Sequence, residues 1–144
     1  MKQVIIYTDG ACLGNPGPGG WGAIVQYSSS EKIVKGAERD TTNNRMELMA
    51  AIKGLQSLTE CCQVTLYTDS VYVQKGAMEW LLGWKKKNWI TAAKQPVKNV
   101  DLWLQIDELI AKHKIDWQWV KGHNGHPENE RVDQIAREAV LELK

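Results

Sequence analysis

The chain has 144 residues, of which 43% are hydrophobic, with 12 glycines and 4 prolines. This composition is typical of a globular protein and excludes a disordered, fibrous or multidomain chain, so we predict one domain over residues 1–144. Eighteen lysine and arginine residues nearly balance 17 acidic residues, and the formal net charge is +1. A surface for nucleic acid or membrane would therefore have to be local.

The cysteines indicate a reducing environment. Cys12, Cys61 and Cys62 are odd in number, and no C-x-x-C pair occurs, so neither a disulfide framework nor a zinc site is predicted. The apolar run near the start is too short for a signal peptide, and no run approaches the length of a membrane span. We expect a soluble, cytoplasmic protein with no membrane partner. We also expect a monomer, because no long apolar stripe is left without a place in the fold.

The first half of the chain is predicted to form three strands and a helix. Apolar and β-branched runs predict strands at residues 4–8, 21–27 and 31–38. The Gly/Pro-rich residues 15–20 are predicted to be a loop between the first two. From Asn44, apolar residues recur at i, i+3, i+4 and i+7, which predicts an amphipathic helix that ends near Thr59.

The second half alternates helices with two more strands. Residues 63–68 and 115–119 read as strands, the second with apolar and polar residues in alternation. Helices are predicted from Ser70 to near Gly76, at 77–84, at 100–113 and at 132–143. Three antiparallel strands followed by two strands among helices predict an α/β fold, with a five-stranded mixed sheet and helices packed on it.

Four acidic residues occupy positions that are unusual for acids. Asp9 and Asp69 each follow an apolar strand, and ligands usually bind at such strand ends in open α/β sheets. Glu47 and Asp133 border the apolar stripes of two helices. Taken singly, the two aspartates could form turns, Glu47 could close a capping box with Asn44, and Asp133 could be a solvated helix acid. The four together favour a shared site.

The four carboxylates predict a metal site. Acids placed side by side repel one another, and a bound cation relieves the repulsion. Their hard oxygen atoms suit Mg²⁺, or Mn²⁺ in its place. Two such ions, about 3.5 to 4 Å apart, can activate a water and stabilise the leaving oxygen of a phosphodiester. Two Mg²⁺ ions are therefore the predicted cofactors, and a nucleic acid is the predicted substrate.

His123 is the candidate proton carrier. It lies between Gly122 and Gly125, after the last predicted strand. An imidazole close to metal ions could take a proton from the attacking water or give one to the leaving group. The alternative is an ordinary surface histidine. His113 and His126 have no zinc-like spacing with it, and we assign His126 to loop structure.

Residues 80–98 form a basic and aromatic segment. Five lysines and no acid lie between Gly83 and Asn99, interleaved with tryptophans. This pattern predicts a local nucleic-acid-binding arm, with lysines that no acid screens. The alternative is a solvated charge run whose tryptophans pack into the core. The candidate contacts are Trp80, Trp84, Lys85, Lys86, Lys87 and Trp89.

Six motifs in order make the chain resemble bacterial type 1 ribonuclease H, the ribonuclease HI family, over essentially its whole length. They are Tyr7-Thr8-Asp9-Gly10, Gly14-Asn15-Pro16-Gly17-Pro18-Gly19-Gly20, Thr42-Asn43-Asn44-Arg45-Met46-Glu47-Leu48, Thr68-Asp69-Ser70, Val120-Lys121-Gly122-His123 and Pro127-Glu128-Asn129-Glu130-Arg131-Val132-Asp133. The resemblance implies the ribonuclease H-like fold. It also implies endonucleolytic hydrolysis of the RNA strand of RNA/DNA hybrids with two Mg²⁺ ions, leaving 5′-phosphate and 3′-hydroxyl ends.

The resemblance also implies roles for individual residues. The positions that match its metal ligands are Asp9, Glu47, Asp69 and Asp133, and His123 matches its loop histidine. The positions that match its contacts to the minor groove and the 2′-hydroxyls are Cys12, Asn15, Asn43 and Asn44. Thr42, Asn15 and Arg45 fall near its contacts to a phosphate of the DNA strand, and residues 80–98 resemble its basic protrusion.

Two positions depart from the pattern of that family. Val71 stands where many relatives carry a glutamine, and Asn124 stands where alanine or serine is common. We expect these departures to change the rate and not the chemistry.

Two rival functions remain: a non-catalytic module that binds hybrids, and a two-metal DNA enzyme such as a junction resolvase or an integrase core. The complete set of acids argues against the first, and the candidate 2′-hydroxyl contacts argue against the second.

Overall fold

The computed structural model describes residues 1–121 and 126–143. Five strands form one mixed sheet in the order β3-β2-β1-β4-β5. Their bounds are β1 (Lys2–Cys12), β2 (Gly17–Tyr27), β3 (Ser30–Thr41), β4 (Cys62–Thr68) and β5 (Lys114–Trp119). The first three strands pair antiparallel, and β4 runs parallel to both β1 and β5. The predicted fold class is confirmed.

Helices cover both faces of the sheet. They are α1 (Asn43–Gln56), α2 (Val71–Lys75), α3 (Leu81–Lys86), α4 (Val100–Lys112) and α5 (Pro127–Leu141). Gly54 of α1 packs against Ile6 and Ala23 on one face, whereas Ile135 of α5 packs against Gly22 on the other. The main core lies between the sheet, α1 and α4, and buries Ile6, Leu48, Leu66 and Trp103 completely. No helix in the described part of the chain is both long and apolar enough to cross a membrane.

The start of α1 differs from the prediction by one residue, and the difference matters. Thr42 is the N-cap, and its Oγ1 accepts a hydrogen bond from the backbone N–H of Arg45 at 3.3 Å. The capping box between Asn44 and Glu47 is therefore wrong, and the Glu47 side chain is free for another role. The helix ends at Gln56, earlier than predicted.

Strand β2 begins inside the segment that was predicted to be a loop. Gly19 and Gly20 already pair with β1. At Gly20, α5 approaches the strand more closely than a residue with a side chain would allow. A Cβ on Gly20 would lie 2.4 Å from the carbonyl oxygen of Ala136 in α5. The loop prediction is wrong for this half of the segment, since contact with α5 outweighs the low strand propensity of glycine.

The predicted break near Gly76 is also wrong. A π-helical turn, Gly76–Trp80, carries α2 directly into α3. At Gly76 a Cβ would lie 2.1 Å from the indole of Trp103, so the glycine allows close packing against the core. The sequence shows a glycine but not the tertiary contact that it serves.

Candidate active site

Asp9 and Asp69 meet because their strands are parallel neighbours. The pairing of β1 with β4 ends at Tyr7 and Tyr67, and each aspartate lies two residues further on. β1 itself continues to Cys12 by pairing with β2, so the prediction that the first strand ends before Asp9 is wrong. The predicted closeness of the two acids is nonetheless confirmed.

Glu47 joins them because α1 lies directly on β1. A Cβ on Gly10 would be 2.5 Å from the backbone nitrogen of Glu47, so only glycine allows the helix this close to the strand. One carboxylate oxygen from each of Asp9, Glu47 and Asp69 lies within 4.8 Å of the other two. We call these three residues the acidic cluster.

Burial makes the acidic cluster electrostatically unstable on its own. Asp9 is 2% exposed and Glu47 is 5% exposed. Burial, and then the charge of Asp69, raise the pKa of Asp9 to about 9. Burial also raises the pKa of Glu47 well above its usual value, with further contributions from Asp9 and Asp69. Glu47 Oε1 and Asp69 Oδ1 are buried and have no hydrogen-bond partner within residues 1–121 and 126–143. Buried oxygens with spare lone pairs and mutual repulsion suit a hard divalent cation.

Asp133 approaches the acidic cluster from α5 but is partly engaged elsewhere. After burial and the charge of Asp69, Asp133 also raises the pKa of Asp9, so the two carboxyls lie near each other. The outer oxygen of Asp133 is held by Arg137, one helical turn further along α5. The structure therefore groups Asp9, Glu47 and Asp69 closely, and it places Asp133 near Asp9 with its carboxylate paired to Arg137. Arg137 was not anticipated from the sequence, although an Asp–Arg pair at i and i+4 is a recognisable helix pattern.

His123 and Asn124 lie outside the described residues. His126, which follows them, is the N-cap of α5, and its Nδ1 accepts from the backbone of Asn129 at 3.4 Å. Its ring lies 5.7 Å from that of Tyr7 and 6.0 Å from that of Tyr67. These contacts agree with the structural role that the sequence predicts for His126.

Several predicted substrate residues gather at the N-terminus of α1. The Oδ1 atom of Asn15 accepts from the backbone N–H of Asn43 at 3.0 Å, which ties the glycine-rich loop to the helix. The Sγ atom of Cys12 points at the carbonyl oxygens of Gly17 and Thr41, at 3.5 and 3.6 Å. Thr42 caps the helix, and Asn44 is half-buried in its first turn. These residues therefore lie on the helix that carries Glu47, or in direct contact with its start.

Arg45 has partners that the sequence analysis missed. Its guanidinium forms a two-pronged ion pair with Asp101, with N–O distances of 3.0 and 2.7 Å. It also donates to Asn99 Oδ1 at 3.2 Å. Asn99 has φ 60°, in the left-handed region that asparagine tolerates better than most residues. The presence of an asparagine before α4 was therefore a weak sequence signal for this backbone conformation, but not for the contact with Arg45.

The tryptophans of the basic segment form an aromatic cluster. Ring centroids of Trp84 lie 5.2 Å from Trp103, 5.9 Å from Trp80 and 6.3 Å from Trp89. Trp84 and Trp89 pack against the main core, and Trp80 is 38% exposed. The cluster fixes the base of the basic segment to the rest of the fold.

The lysines of this segment are not all equivalent. Lys85 Nζ lies 3.1 Å from a carboxylate oxygen of Asp107 in α4. The expectation that no acid screens these lysines is therefore wrong for Lys85, because its partner comes from a distant part of the sequence. Lys86 and Lys87 are exposed, and no ion pair involves them in the described residues.

Comparisons with known proteins agree with this geometry. The family model described as RNase H matches residues 1–141. The chain is 62% identical to ribonuclease H of Alcanivorax borkumensis over 144 residues, which covers 100% of this chain and 95% of the relative. It is also 62% identical to ribonuclease H of Aeromonas hydrophila over 139 residues, which covers 96% of this chain and 90% of the relative.

Solved structures show the same architecture. LC9-RNase H1, described as a type 1 RNase H with the type 2 active-site motif, superposes with a TM-score of 0.88 at 31% identity, over 97% of this chain and 72% of that one. LC11-RNase H1, solved in complex with RNA/DNA hybrid, superposes with a TM-score of 0.70 at 21% identity, over 96% of each chain, a likeness that concerns the fold. The sequence matches, the fold and the acidic cluster together establish that the chain belongs to the ribonuclease H family.

Proposed function

We propose that this chain is an endoribonuclease that hydrolyses the RNA strand of RNA/DNA hybrids and leaves 5′-phosphate and 3′-hydroxyl ends. The observation that carries the proposal is the acidic cluster, in a chain of the ribonuclease H family. It has two buried acids and one half-buried acid, and two of its oxygens have no hydrogen-bond partner among the described residues. Such a cluster is costly to a fold unless cations compensate it.

Enzymes of this family depend on divalent metal ions, and the acidic cluster fits that requirement. We infer that Asp9, Glu47, Asp69 and Asp133 hold two Mg²⁺ ions, with Mn²⁺ as a possible substitute. When bound, the ions activate the attacking water and stabilise the leaving oxygen of the phosphodiester. The burial of Asp9 and Glu47 supports this assignment, because it keeps competing water away and strengthens their hold on a cation.

The protein's own acid–base chemistry falls to His123. We propose that its imidazole carries a proton at the reacting phosphate, because its usual pKa lies close to neutral pH and both protonation states are then accessible. Asp133 lies near Asp9 and forms an ion pair with Arg137, which balances its charge.

Hybrid recognition is assigned to two surfaces. The first is the N-terminus of α1, with Asn15 bonded to Asn43 and with Cys12 close by; the set is completed by Thr42, Asn44 and Arg45. We propose that Cys12, Asn15, Asn43 and Asn44 read the minor groove, where 2′-hydroxyls distinguish RNA from DNA. Thr42, Asn15 and Arg45 are proposed to contact a phosphate of the DNA strand. The second is the basic protrusion at residues 80–98, where Lys86 and Lys87 carry free charge toward phosphates. For the tryptophans, Trp80 is the best placed to reach a substrate because it is the most exposed of the three.

We further propose that the chain acts as one domain, as a monomer and in the cytoplasm. Extensive packing of α1 and α5 on a single sheet supports the first statement. All three cysteines are free thiols, which suits a reducing compartment.

The test offers purified protein four labelled substrates in parallel: RNA/DNA hybrid, duplex RNA, duplex DNA and single-stranded RNA. With Mg²⁺ we expect cleavage of the RNA strand of the hybrid alone, and no cleavage with EDTA. Hybrid binding without cleavage in either Mg²⁺ or Mn²⁺ would instead support a binding module. Cleavage of duplex DNA would support a related DNA enzyme.

A further inference from the structure

A polar network outside the acidic cluster joins the starts of α1 and α4 to α2. Arg45 Nη1 donates to Asn99 Oδ1 at 3.2 Å. Asn99 Nδ2 donates in turn to Tyr72 Oη at 3.0 Å, and Trp103 Nε1 donates to the same oxygen at 3.0 Å. Three helices are thereby connected through one phenol oxygen, which uses both of its lone pairs as acceptors.

Tyr72 and Arg45 hold the two ends of the Asn99 amide. Because Tyr72 accepts from Nδ2, the Oδ1 atom is turned toward Arg45. A guanidinium has donors and no acceptors, so the opposite orientation would set an NH₂ group against a cation. Without the hydroxyl, the amide would keep its hydrogen bond from Arg45 but lose the one that ties Nδ2 to α2.

The network anchors Arg45 to the core. The ring of Tyr72 packs edge-on against Trp103 at 5.6 Å and against Trp80 at 5.9 Å, and Trp103 is fully buried. The other partner of Arg45, Asp101, has a side chain that is 59% exposed. The path through Asn99 is the one that leads to a fully buried side chain. A guanidinium held in one direction loses less entropy when it binds a phosphate.

We propose that Tyr72 is a positioning residue for the nucleic-acid strand that meets Arg45. Its hydroxyl orients Asn99, and Asn99 holds the guanidinium of Arg45 in one direction beside the N-terminus of α1. The inference rests on the proposed function, in which Arg45 contacts the substrate. Tyr72 acts through Arg45 and does not itself touch the reacting atoms.

The test is Tyr72→Phe, which keeps the ring and removes only the hydroxyl. We expect hybrid binding in EDTA to weaken roughly fivefold, the effect of one lost hydrogen bond, and KM in Mg²⁺ to rise similarly with kcat unchanged. In an Arg45→Ala background the same substitution should have no further effect on binding, because its influence passes through Arg45. Because EDTA removes the metal ions that cleavage requires, the titration in EDTA measures hybrid binding alone.

Two control variants distinguish positioning from loss of stability. Trp103→Phe removes the other hydrogen bond to Tyr72 and disturbs a buried site, but leaves the path from Tyr72 through Asn99 to Arg45 intact. Tyr27→Phe removes a hydroxyl that has no hydrogen bond within the described chain. Both variants should bind hybrid like the unchanged protein, although Trp103→Phe should have a lower melting temperature.

Three results would overturn the positioning role: unchanged binding by Tyr72→Phe, equal weakening by Trp103→Phe, or full additivity with Arg45→Ala. Failure of the proposed function gives a different result. An unchanged protein that binds hybrid but does not cut it would refute the activity, while weaker binding by Tyr72→Phe would still support the positioning role. A protein that binds no hybrid refutes both.

Discussion

At the scale of single residues, the site is built on side chains that would destabilise an ordinary fold. Asp9 and Glu47 are buried acids with raised pKa values, and burial is the largest cause for both. Their ionised forms are unfavourable without a cation, so metal binding and stability are coupled. Removing one of these charges should therefore harm activity and help the fold.

Asp9→Asn should abolish cleavage and stabilise the metal-free protein. Because the pKa of Asp9 is raised to about 9, the folded protein keeps a proton on Asp9 that the unfolded chain releases. The free energy of unfolding therefore falls as pH rises from the unfolded pKa of Asp9 toward 9. At pH 7 in EDTA, a neutral amide should raise the free energy of unfolding by about 1 to 3 kcal/mol, as an order of magnitude. Urea unfolding measures this, with the exposed Asp116→Asn as control. Equal stability changes in the two variants would contradict the account.

His113 gives stability a second dependence on pH. It is 4% exposed, its Nδ1 accepts from the backbone N–H of Cys62 at 3.1 Å, and burial lowers its pKa. Folding favours the neutral form of His113. Its contribution to the free energy of unfolding is therefore complete above pH 6.5 and is lost as pH falls through the lowered pKa.

His113→Asn should therefore remove part of the stability loss between pH 8 and pH 5, by about 1 kcal/mol. Chemical unfolding of both proteins across that range makes the comparison. Since all other titrating groups are shared, the difference between the curves isolates His113. Parallel curves would show that its protonation is not linked to folding.

At the scale of elements, the continuous helical segment from α2 to α3 depends on Gly76. Gly76→Ala would drive a methyl group into Trp103 and should lower the free energy of unfolding by about 1 to 3 kcal/mol. Gly83, in α3, faces open space, so Gly83→Ala should stabilise the protein by up to about 1 kcal/mol. Urea unfolding compares them. Effects of the same sign would mean that helix propensity, and not the Trp103 contact, governs both positions.

The basic protrusion should act through its unpaired charges. Replacing Lys86 and Lys87 by alanine should weaken hybrid binding and reduce the slope of log affinity against log salt by up to about one unit for each lost phosphate contact. Lys85→Ala should change the slope less than Lys87→Ala, because Asp107 already neutralises Lys85. Binding titrations at several salt concentrations provide the measurement. Equal slopes for all variants would assign the lysines to a solvated surface.

The elements also show what the sequence could and could not predict. Periodicity located the strands and the long helices, because burial on one face leaves a regular pattern. It failed at Gly20 and Gly76, where glycine serves a close contact with a distant element and not a turn. It also failed to find the Asp107 partner of Lys85 and the Asn99 partner of Arg45, since both pairings depend on where α4 packs.

At the scale of the whole molecule, topology assembles the site. Parallel pairing of β1 with β4 brings Asp9 beside Asp69, the contact at Gly10 brings in Glu47, and α5 supplies Asp133 from the opposite face of the sheet. The sequence predicted these four residues because two follow apolar strands and two border the apolar stripes of helices. Only the folded chain shows that Arg137 restrains the fourth, because that depends on which way the Asp133 side chain turns.

The most direct test of the account compares the unchanged protein with Asp9→Asn on a hybrid whose RNA strand is labelled, with Mg²⁺ and with EDTA. We predict rapid cutting of the RNA by the unchanged protein in Mg²⁺ alone, and products with 5′-phosphate ends. Asp9→Asn should bind the hybrid and leave it intact. Cleavage by Asp9→Asn at a rate near that of the unchanged protein, or cleavage in EDTA, would contradict the central claim that the acidic cluster performs the chemistry through bound metal ions.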